Sequence, residues 1–407
     1  EGTLAPGAID VFGSFFSFDP ITSTFTVIKY LDNLSTIGYV IKDAPLLASN
    51  GLLYGVSESS YENGSVLGSE KLFSYNPVTG VFNTLYDFNL STGTVQSKLM
   101  QATNRKIYMT SADGGFYKRG SIMTYDLTTN ALATIYVSRG YNNPDPGPND
   151  FERAANNPLI QASNGKIYLA SKFGGNGNLG VTSMLNPDGS SYQINDSFES
   201  LLVNQGTVPA GGLLQIGEFL YGTTLNGDDV NFSYGTIYKR SLTSSNSTVT
   251  FLKTLDIYEG SKPNGSFVKN PTFNRIYTTC KSGGNNIQGT IIEFNLDTNK
   301  FRVTHNFQTV DGTAPDRGGL TIVDFATLSV KDVALKNTVV IYPNPTSTSF
   351  TVGMDNVESI EIFNLLGQKV KKKKNTKTVN IENLENGVYM LNIKSENKSH
   401  TAKLIKD

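Results

Sequence analysis

Side chains able to perform nucleophilic, acid–base or metal chemistry are scarce in this chain. Cys280 is the only cysteine, and the only histidines, His305 and His400, lie far apart in the sequence. A Ser-His-Asp or Cys-His system needs a histidine beside its nucleophile, and a zinc site needs several His or Cys ligands. We therefore expect Cys280 to be a small buried residue and His305, within the strand-like FRVTHNF, to be structural.

Polar loops hold the residues best suited to contact a ligand. The longest spans residues 138–158, and shorter ones span 111–120 and 225–235. Planar arginine and amphipathic tyrosine suit ligands rich in hydroxyl and carboxylate groups, such as acidic glycans. The alternative is that these loops only stabilise turns. The candidate ligand-binding residues are Tyr117, Arg119, Arg139, Tyr141, Asp150, Arg153, Asp228 and Tyr234.

Two kinds of catalysis and one metal stay open. A carboxylate pair could hydrolyse a glycosidic bond, or Tyr117 could act as the base of a lyase while Lys118 or Arg119 neutralises a uronate. No other cofactor is expected besides a structural calcium ion. Its hard oxygen donors would be Asp145, Asp150, Asp228 and Asp229, although their spacing matches no calcium-loop signature.

A repeat of about 55 residues organises most of the chain. Each copy contains a glycine, an apolar-alternating stretch and a polar turn residue, and then a strand, a tight turn and a strand carrying a tyrosine. The turn residues are Asp19, Asn76, Asp126, Asn186, Ser241 and Asn295, and the tyrosines are Tyr54, Tyr108, Tyr168, Tyr221 and Tyr277. This pattern gives four short strands per repeat and shows no helical periodicity.

The fold class predicted from this repeat is all-β, with a β-propeller over residues 1–330. Six blades result if an N-terminal hairpin (Ser14 to Leu31) and the segment Gly318 to Val330 complete one shared blade. Seven are expected if the N-terminus is truncated. The long loops follow the second and fourth strands, which end on the same face of a propeller, so we expect ligands to bind there.

The C-terminal region has a different character. After a polar linker at residues 331–337, residues 338–407 contain ten lysines, no arginine and seven acidic residues. About seven short alternating segments predict an immunoglobulin-like β-sandwich. We expect the run Lys371 to Lys374 to be a solvated hairpin loop, because it lacks the interleaved aromatic residues that stack on nucleic-acid bases.

Composition excludes several classes of protein. The 34 basic and 35 acidic residues provide no basic excess for binding nucleic acid. No apolar run approaches the roughly 18 residues of a transmembrane helix. The chain starts at Glu1 without a methionine or an apolar leader, so we expect any signal peptide to have been removed or to lie outside this sequence.

Residues 338–407 resemble the type A C-terminal sorting domain of the type IX secretion system of Bacteroidota. Four motifs carry the resemblance: YPNP at 342–345, IEIFN and LGQ at 360–368, L-x-NGVY at 384–389, and KLIK at 403–406. The resemblance implies export through the type IX machinery, followed by release or attachment at the cell surface. The matching sorting-signal residues are Pro343, Asn344, Pro345, Gly367, Gln368, Gly387, Tyr389, Lys403, Leu404 and Lys406.

The repeats resemble the GloVer-type tandem repeats of secreted bacterial proteins. The matching pieces are LYGTT at 220–224, the Gly-Gly loops, GTIY at 235–238 and DG-x-x-P at 311–315. That family defines no general catalytic residues. The sequence thus predicts a secreted or surface β-propeller that binds a glycan or protein partner, and enzymatic activity is not the favoured reading. A polysaccharide lyase with its site in the propeller funnel and a structural adhesin are the alternatives.

Overall fold

The computed structural model is all-β and divides into two compact units, Glu1–Val323 and Asp324–Asp407. Among the described residues, the single helical element is a 3-10 turn at Thr309–Asp311. The structure describes residues 11–19, 22–32, 37–38, 40–58, 60–62, 65–67, 69–95, 97–139, 151–152, 157–199, 206–227, 234–243, 249–315, 320–321, 339–364, 368–395 and 398–407.

The described part of the first unit forms an N-terminal hairpin and five larger antiparallel sheets. The hairpin pairs β1 (Val11–Asp19) with β2 (Thr24–Asp32). The first sheet contains β3 (Val40–Ile41), β4 (Leu46–Leu47), β5 (Leu53–Glu58), β8 (Lys71–Tyr75) and β9 (Phe82–Asp87), with a small hairpin of β6 (Ser60–Glu62) and β7 (Ser65–Leu67) before β8. The second contains β10 (Met100–Gln101), β11 (Lys106–Ser111), β12 (Ser121–Asp126) and β13 (Leu132–Val137).

The remaining three sheets repeat this order. The third contains β15 (Ile160–Gln161), β16 (Ile167–Ser171), β18 (Val181–Leu185) and β19 (Gln193–Ser197), and β14 (Phe151–Glu152) pairs with β17 (Phe173–Gly174) beside it. The fourth contains β20 (Thr207–Ile216), β21 (Phe219–Asn226), β22 (Thr236–Ser241) and β23 (Thr250–Thr254). The fifth contains β24 (Ser261–Pro263), β25 (Val268–Lys269), β26 (Arg275–Ser282), β27 (Thr290–Asn295) and β28 (Lys300–Asn306).

These sheets are the blades of a β-propeller, and the apolar cores lie between successive sheets. Tyr54 and Leu72 of the first sheet, for example, form one buried cluster with Ile107 and Met123 of the second. The innermost segments of successive repeats surround a common cavity of about 570 Å³. Its lining includes Leu47, Met100, Ile160, Leu213, Val268 and Leu320.

Hydrogen bonds at the tight turns join the first four sheets, each to its neighbour in sequence. Gln101 of the second sheet accepts a hydrogen bond from the Ser49 backbone N–H of the first (2.8 Å) and donates one to Ser49 Oγ (2.8 Å). Gln215 and Ser163 repeat both bonds between the fourth and third sheets, at 2.8 and 2.6 Å. Within each of the first three sheets, an asparagine at the turn donates to the hydroxyl of the repeat tyrosine, as in Asn50 to Tyr54 (2.9 Å).

The N-terminal hairpin has one covered face and one exposed face. Phe15 packs against Phe73 and Tyr75 of the first sheet. Phe16 and Phe18 point the other way and are 54% and 56% exposed, whereas Phe73 and Tyr75, at the same positions of the next repeat, are 0% and 7% exposed. Leu320 lines a cavity of about 940 Å³ together with residues 14–17. The predicted pairing of Gly318 to Val330 with this hairpin, and hence the count of six blades, falls mostly on residues outside those described.

The second unit is a sandwich of two antiparallel sheets. One contains β29 (Ile341–Tyr342), β30 (Ser349–Val352) and β33 (Thr378–Asn380), and the other runs in the order β32 (Lys369–Lys374), β31 (Val357–Phe363), β34 (Gly387–Ser395), β35 (Lys398–Lys406). Phe350, Ile360 and Leu391 belong to the apolar core that both sheets share. An immunoglobulin-like topology stays a prediction.

The expected hairpin loop at Lys371 to Lys374 is wrong, because these lysines form most of strand β32. This strand lies at the edge of its sheet. Lysines on an edge strand disfavour pairing with the strands of other molecules. Two apolar residues at alternate positions of the neighbouring strand, Ile360 and Ile362, pair with Lys373 and Lys371 and supply the buried face.

Gly222 leaves the space that the Tyr238 ring occupies, and this gives a stability prediction. A Cβ atom at Gly222 would lie 2.5 Å from Cζ of Tyr238, which pairs with it across β21 and β22. We expect Gly222→Ala to lower the free energy of unfolding by about 1–3 kcal/mol, the usual cost of overpacking a core. Urea unfolding would measure it, with Gly227→Ala as the control, since its Cβ would have no neighbour closer than 3.5 Å. Equal stability of both variants would contradict this packing.

Candidate ligand-binding loops

Three loops on the same face of the propeller share one backbone conformation from their second residue onward. They lie between β11 and β12 in the second sheet, between β16 and β18 in the third, and between β26 and β27 in the fifth. Their ranges are Gly114–Gly120, Gly174–Gly180 and Gly283–Gly289. The last glycine of each donates to the carbonyl of the first, at 3.2, 3.2 and 3.0 Å. The fifth residue of each is left-handed, with φ of 53° at Lys118, 55° at Asn178 and 60° at Ile287. From the second glycine to the last, the three loops therefore repeat one backbone frame.

The Gly-Gly step of this frame is required by close contact with the preceding connection. A Cβ at Gly114 would lie 2.1 Å from the carbonyl oxygen of Thr92, and Gly115 donates to the carbonyl of Ser91 (3.0 Å). Asp113 Oδ1 accepts hydrogen bonds from the N–H and the hydroxyl of Thr94, at 2.7 and 2.6 Å. The loop of the second sheet is thereby fixed on the chain that connects the first two sheets.

Only the loop of the second sheet places aromatic and cationic side chains on this frame. Its four variable residues are Phe116–Tyr117–Lys118–Arg119, whereas the others carry Asn-Gly-Asn-Leu (176–179) and Asn-Asn-Ile-Gln (285–288). Phe116 is 88% exposed, and its ring lies 5.1 Å from that of Tyr117 at an interplanar angle of 90°. The result is a fixed, exposed aromatic edge bordered by two cations.

Arg139 lies beside this loop. The N–H of Ser138 donates to the carbonyl of Gly120 (2.9 Å), which places the next residue, Arg139, next to the end of the loop. The long insertion returns alongside the third sheet, where β14 pairs with β17. Arg139 is thus placed near the loop that carries Tyr117 and Arg119. The other candidates from the long insertion, Tyr141, Asp150 and Arg153, lie outside the described residues.

Tyr234 is placed elsewhere. It packs against the apolar cluster between the fourth and fifth sheets, which contains Tyr221 and Leu255. Asp228 lies outside the described residues, as do the other candidate calcium ligands Asp145, Asp150 and Asp229. Within the described part of the chain, no group of three or more His, Cys, Asp or Glu residues could hold a metal ion.

The single thiol and the propeller histidine are not arranged for catalysis. Cys280 is fully buried between the fourth and fifth sheets, and burial raises the pKa of its thiol to about 12. His305 lies on β28 with its ring centre 4.9 Å from that of Phe307.

Sequence reasoning missed two buried ion pairs, both of which join neighbouring parts of the propeller. Arg240 Nε of the fourth sheet lies 2.8 Å from Asp196 Oδ2 of the third. Lys42 donates to Glu70 and to the Val95 carbonyl, and Glu70 accepts from the Val95 N–H (2.8 Å). Burial raises the pKa of both carboxyl groups although their cationic partners oppose it. These pairs hold sheets and connections together.

In the second unit, the sorting motifs contact one another. Asn344 donates from Nδ2 to the Lys403 carbonyl and accepts from the Ile405 N–H, both at 2.8 Å. Lys406 donates to Asn386 Oδ1 (3.2 Å). The Tyr389 hydroxyl donates to the Glu385 carbonyl (2.8 Å), and the Gln368 N–H donates to Asn364 (2.9 Å). Gly387 begins β34, Pro343 and Pro345 are exposed, Leu404 is buried, and Gly367 lies outside the described residues.

Two family matches agree with these two units. Residues 148–329 match the Gloeobacter/Verrucomicrobia repeat, and residues 340–407 match the secretion system C-terminal sorting domain. Both resemblances found in the sequence are confirmed. The sorting domain indicates export to the cell surface or the extracellular space through the type IX machinery. No helix among the described residues is long and apolar enough to span a membrane.

Individual relatives are more distant. An ulvan lyase of Nonlabens ulvanivorans is 35% identical over 118 residues, which are 27% of this chain and 22% of the lyase, so the chain spans about a fifth of that relative. Among solved structures, an oligogalacturonate lyase of Vibrio parahaemolyticus shares 8% identity at a TM-score of 0.47, covering 74% of each chain. The extracellular domain of a hybrid two-component system of B. thetaiotaomicron shares 11% identity at a TM-score of 0.45, covering 94% of this chain and 51% of its own.

The burial of Cys280 predicts a thiol that does not react in the folded protein. Its raised pKa leaves almost no thiolate at neutral or mildly alkaline pH, and thiolate is the reactive form. A thiol reagent such as iodoacetamide should therefore modify Cys280 only after denaturation. Mass spectrometry of native and urea-unfolded samples would measure this, and rapid labelling of the native chain would show that Cys280 is accessible.

Proposed function

We propose that this chain is an extracellular binding module that holds a glycan at the Phe116–Arg119 loop. The observation that carries the proposal is the difference between three loops that share a backbone frame from their second glycine onward. Only one of them displays an exposed aromatic ring followed by two cationic residues. Phe116 lies beside a second aromatic ring and is followed by two cationic residues, and loops on a fixed scaffold commonly carry binding residues.

The chemistry of this loop suits a sugar ligand. The ring of Phe116 offers a flat apolar surface for the C–H face of a sugar, and the Phe116–Tyr117 contact holds the two rings at right angles. Lys118 and Arg119 supply hydrogen-bond donors for hydroxyl, carboxylate or sulfate oxygens. Arg139, adjacent through the Ser138–Gly120 hydrogen bond, adds a further set of donors. Export through the type IX route brings this loop into contact with extracellular polysaccharides.

A polysaccharide lyase is the second candidate, favoured by the partial match to an ulvan lyase. In this case Tyr117 would abstract the C5 proton next to the uronate carboxyl group while Arg119 neutralises that group. The electron pair would form the C4–C5 double bond as the C4–O glycosidic bond breaks, and the leaving oxygen would take up a proton. Lyase chemistry needs both side chains on one bound sugar, and they are separated by one residue on the same loop.

The binding proposal predicts a selective loss of affinity. The triple variant Phe116→Ala, Lys118→Ala, Arg119→Ala should weaken binding to ulvan or polygalacturonate about tenfold or more, because it removes an aromatic contact and two charged donors. Affinity electrophoresis or calorimetry would measure this. The matched control is Asn285→Ala, Ile287→Ala, Gln288→Ala on the equivalent loop of the fifth sheet, which should bind normally. Absence of binding to any glycan of a broad panel would favour a structural adhesin instead.

The lyase candidate predicts a different signal. Incubation with ulvan should then produce unsaturated uronate ends that absorb in the ultraviolet, and Tyr117→Phe should abolish this product while binding persists. Binding without any increase in absorbance would identify a binding module.

A further inference from the structure

The motifs that identify the sorting domain converge on its last strand, β35. Asn344 makes its two hydrogen bonds to the backbone of Lys403 and Ile405. Thr346 adds two more, donating its N–H to the Ile405 carbonyl (3.0 Å) and accepting from the Asp407 N–H (3.1 Å). The segment Asn344–Thr346 thus occupies the backbone groups along the outer edge of β35, from Lys403 to the end.

The side chains of β35 alternate between core and solvent. Leu404 is fully buried and Lys406 is 8% exposed, with its amine held by Asn386 Oδ1. A folded domain cannot present either side chain to a partner. Lys403 is exposed, and it pairs across the sheet with Met390, which is 42% exposed. Of the four residues in the terminal motif, Lys403 is the one that a partner can fully reach.

We propose that the type IX machinery recognises the outward face of β34 and β35 around Lys403 and Met390, and that Asn344 is a positioning residue that fixes this strand. The inference rests on export by the type IX route. Because residues 344–346 already cover the strand edge, a receptor cannot add its own strand beside residues 403–407. It must instead contact side chains on the face, where a cation and an exposed methionine are adjacent. Leu384 and Leu404 belong to the core below that face.

Under this proposal Lys403 contacts the receptor directly, whereas Asn344 holds in place the strand that carries Lys403. Lys403→Ala removes an exposed charge and leaves every core contact of Leu404 in place. Asn344→Ala leaves the surface side chains unchanged but frees the Lys403 carbonyl and the Ile405 N–H. A control at the other end of the same face is Lys394, which is also exposed and lies on the same strand as Met390.

The test uses the full chain in a type IX-competent host, with secreted and periplasmic protein measured by immunoblotting. Lys403→Ala should reduce export about tenfold, the effect of losing one charge-assisted contact, without changing the unfolding temperature. Lys394→Ala should be exported normally. Asn344→Ala should also reduce export and should accelerate amide hydrogen exchange at Ile405, while Ile381→Val, a core substitution, should be exported normally.

The outcomes separate this inference from the export route itself. Retention of a variant lacking residues 338–407, together with normal export of Lys403→Ala, would overturn the proposed surface alone. Export of the deletion variant would overturn the route and the inference with it. Loss of export in Ile381→Val to the same extent as in Asn344→Ala would show that stability, and not the position of β35, controls recognition.

Discussion

Each four-stranded sheet of the propeller has two apolar faces, and every other feature of this unit depends on covering both. The clusters between sheets combine side chains from two repeats each, so that no sheet could bury its residues alone. The ion pair of Asp196 with Arg240 joins two neighbouring sheets across such an interface. Hydrogen bonds from Gln101 and Gln215 at the tight turns join neighbouring sheets, and the Gly-Gly loops at the opposite ends of the sheets bond to the preceding connections.

In the second unit too, some residues hold the structure together and others are exposed to a partner. Most residues that make the sorting domain recognisable in sequence contact one another, and the hydrogen bonds of Asn344 and Lys406 are examples. Motif residues are therefore not all contact residues. In the propeller, the glycines at both ends of the Gly-Gly loops recur, whereas the exposed residues between them differ from one repeat to the next.

Much of the architecture could be predicted because turn chemistry and strand alternation are local. The repeat glycines, the turn asparagines and the tyrosine strands fall where the structure has them. What could not be predicted depends on contacts between repeats. Tyr234 looked like a loop residue, but a neighbouring sheet covers it. The lysine run was expected to form a hairpin loop, but it lies in a strand at the edge of its sheet. The ion pair of Asp196 and Arg240 leaves no signal in a single sequence, whereas the recurring glutamine at positions 101, 161 and 215 was visible there.

The backbone frame that the three Gly-Gly loops share affects how many ligand contacts the propeller could offer. Because Lys118, Asn178 and Ile287 occupy the same left-handed position in loops that match from their second glycine onward, side chains of one loop could be placed on another with little change of backbone. If the proposed contact at the Phe116–Arg119 loop is the only one, a few substitutions would add a second or third. Multivalent attachment to a repetitive polymer, with its gain in avidity, is accessible to this scaffold through point mutations alone.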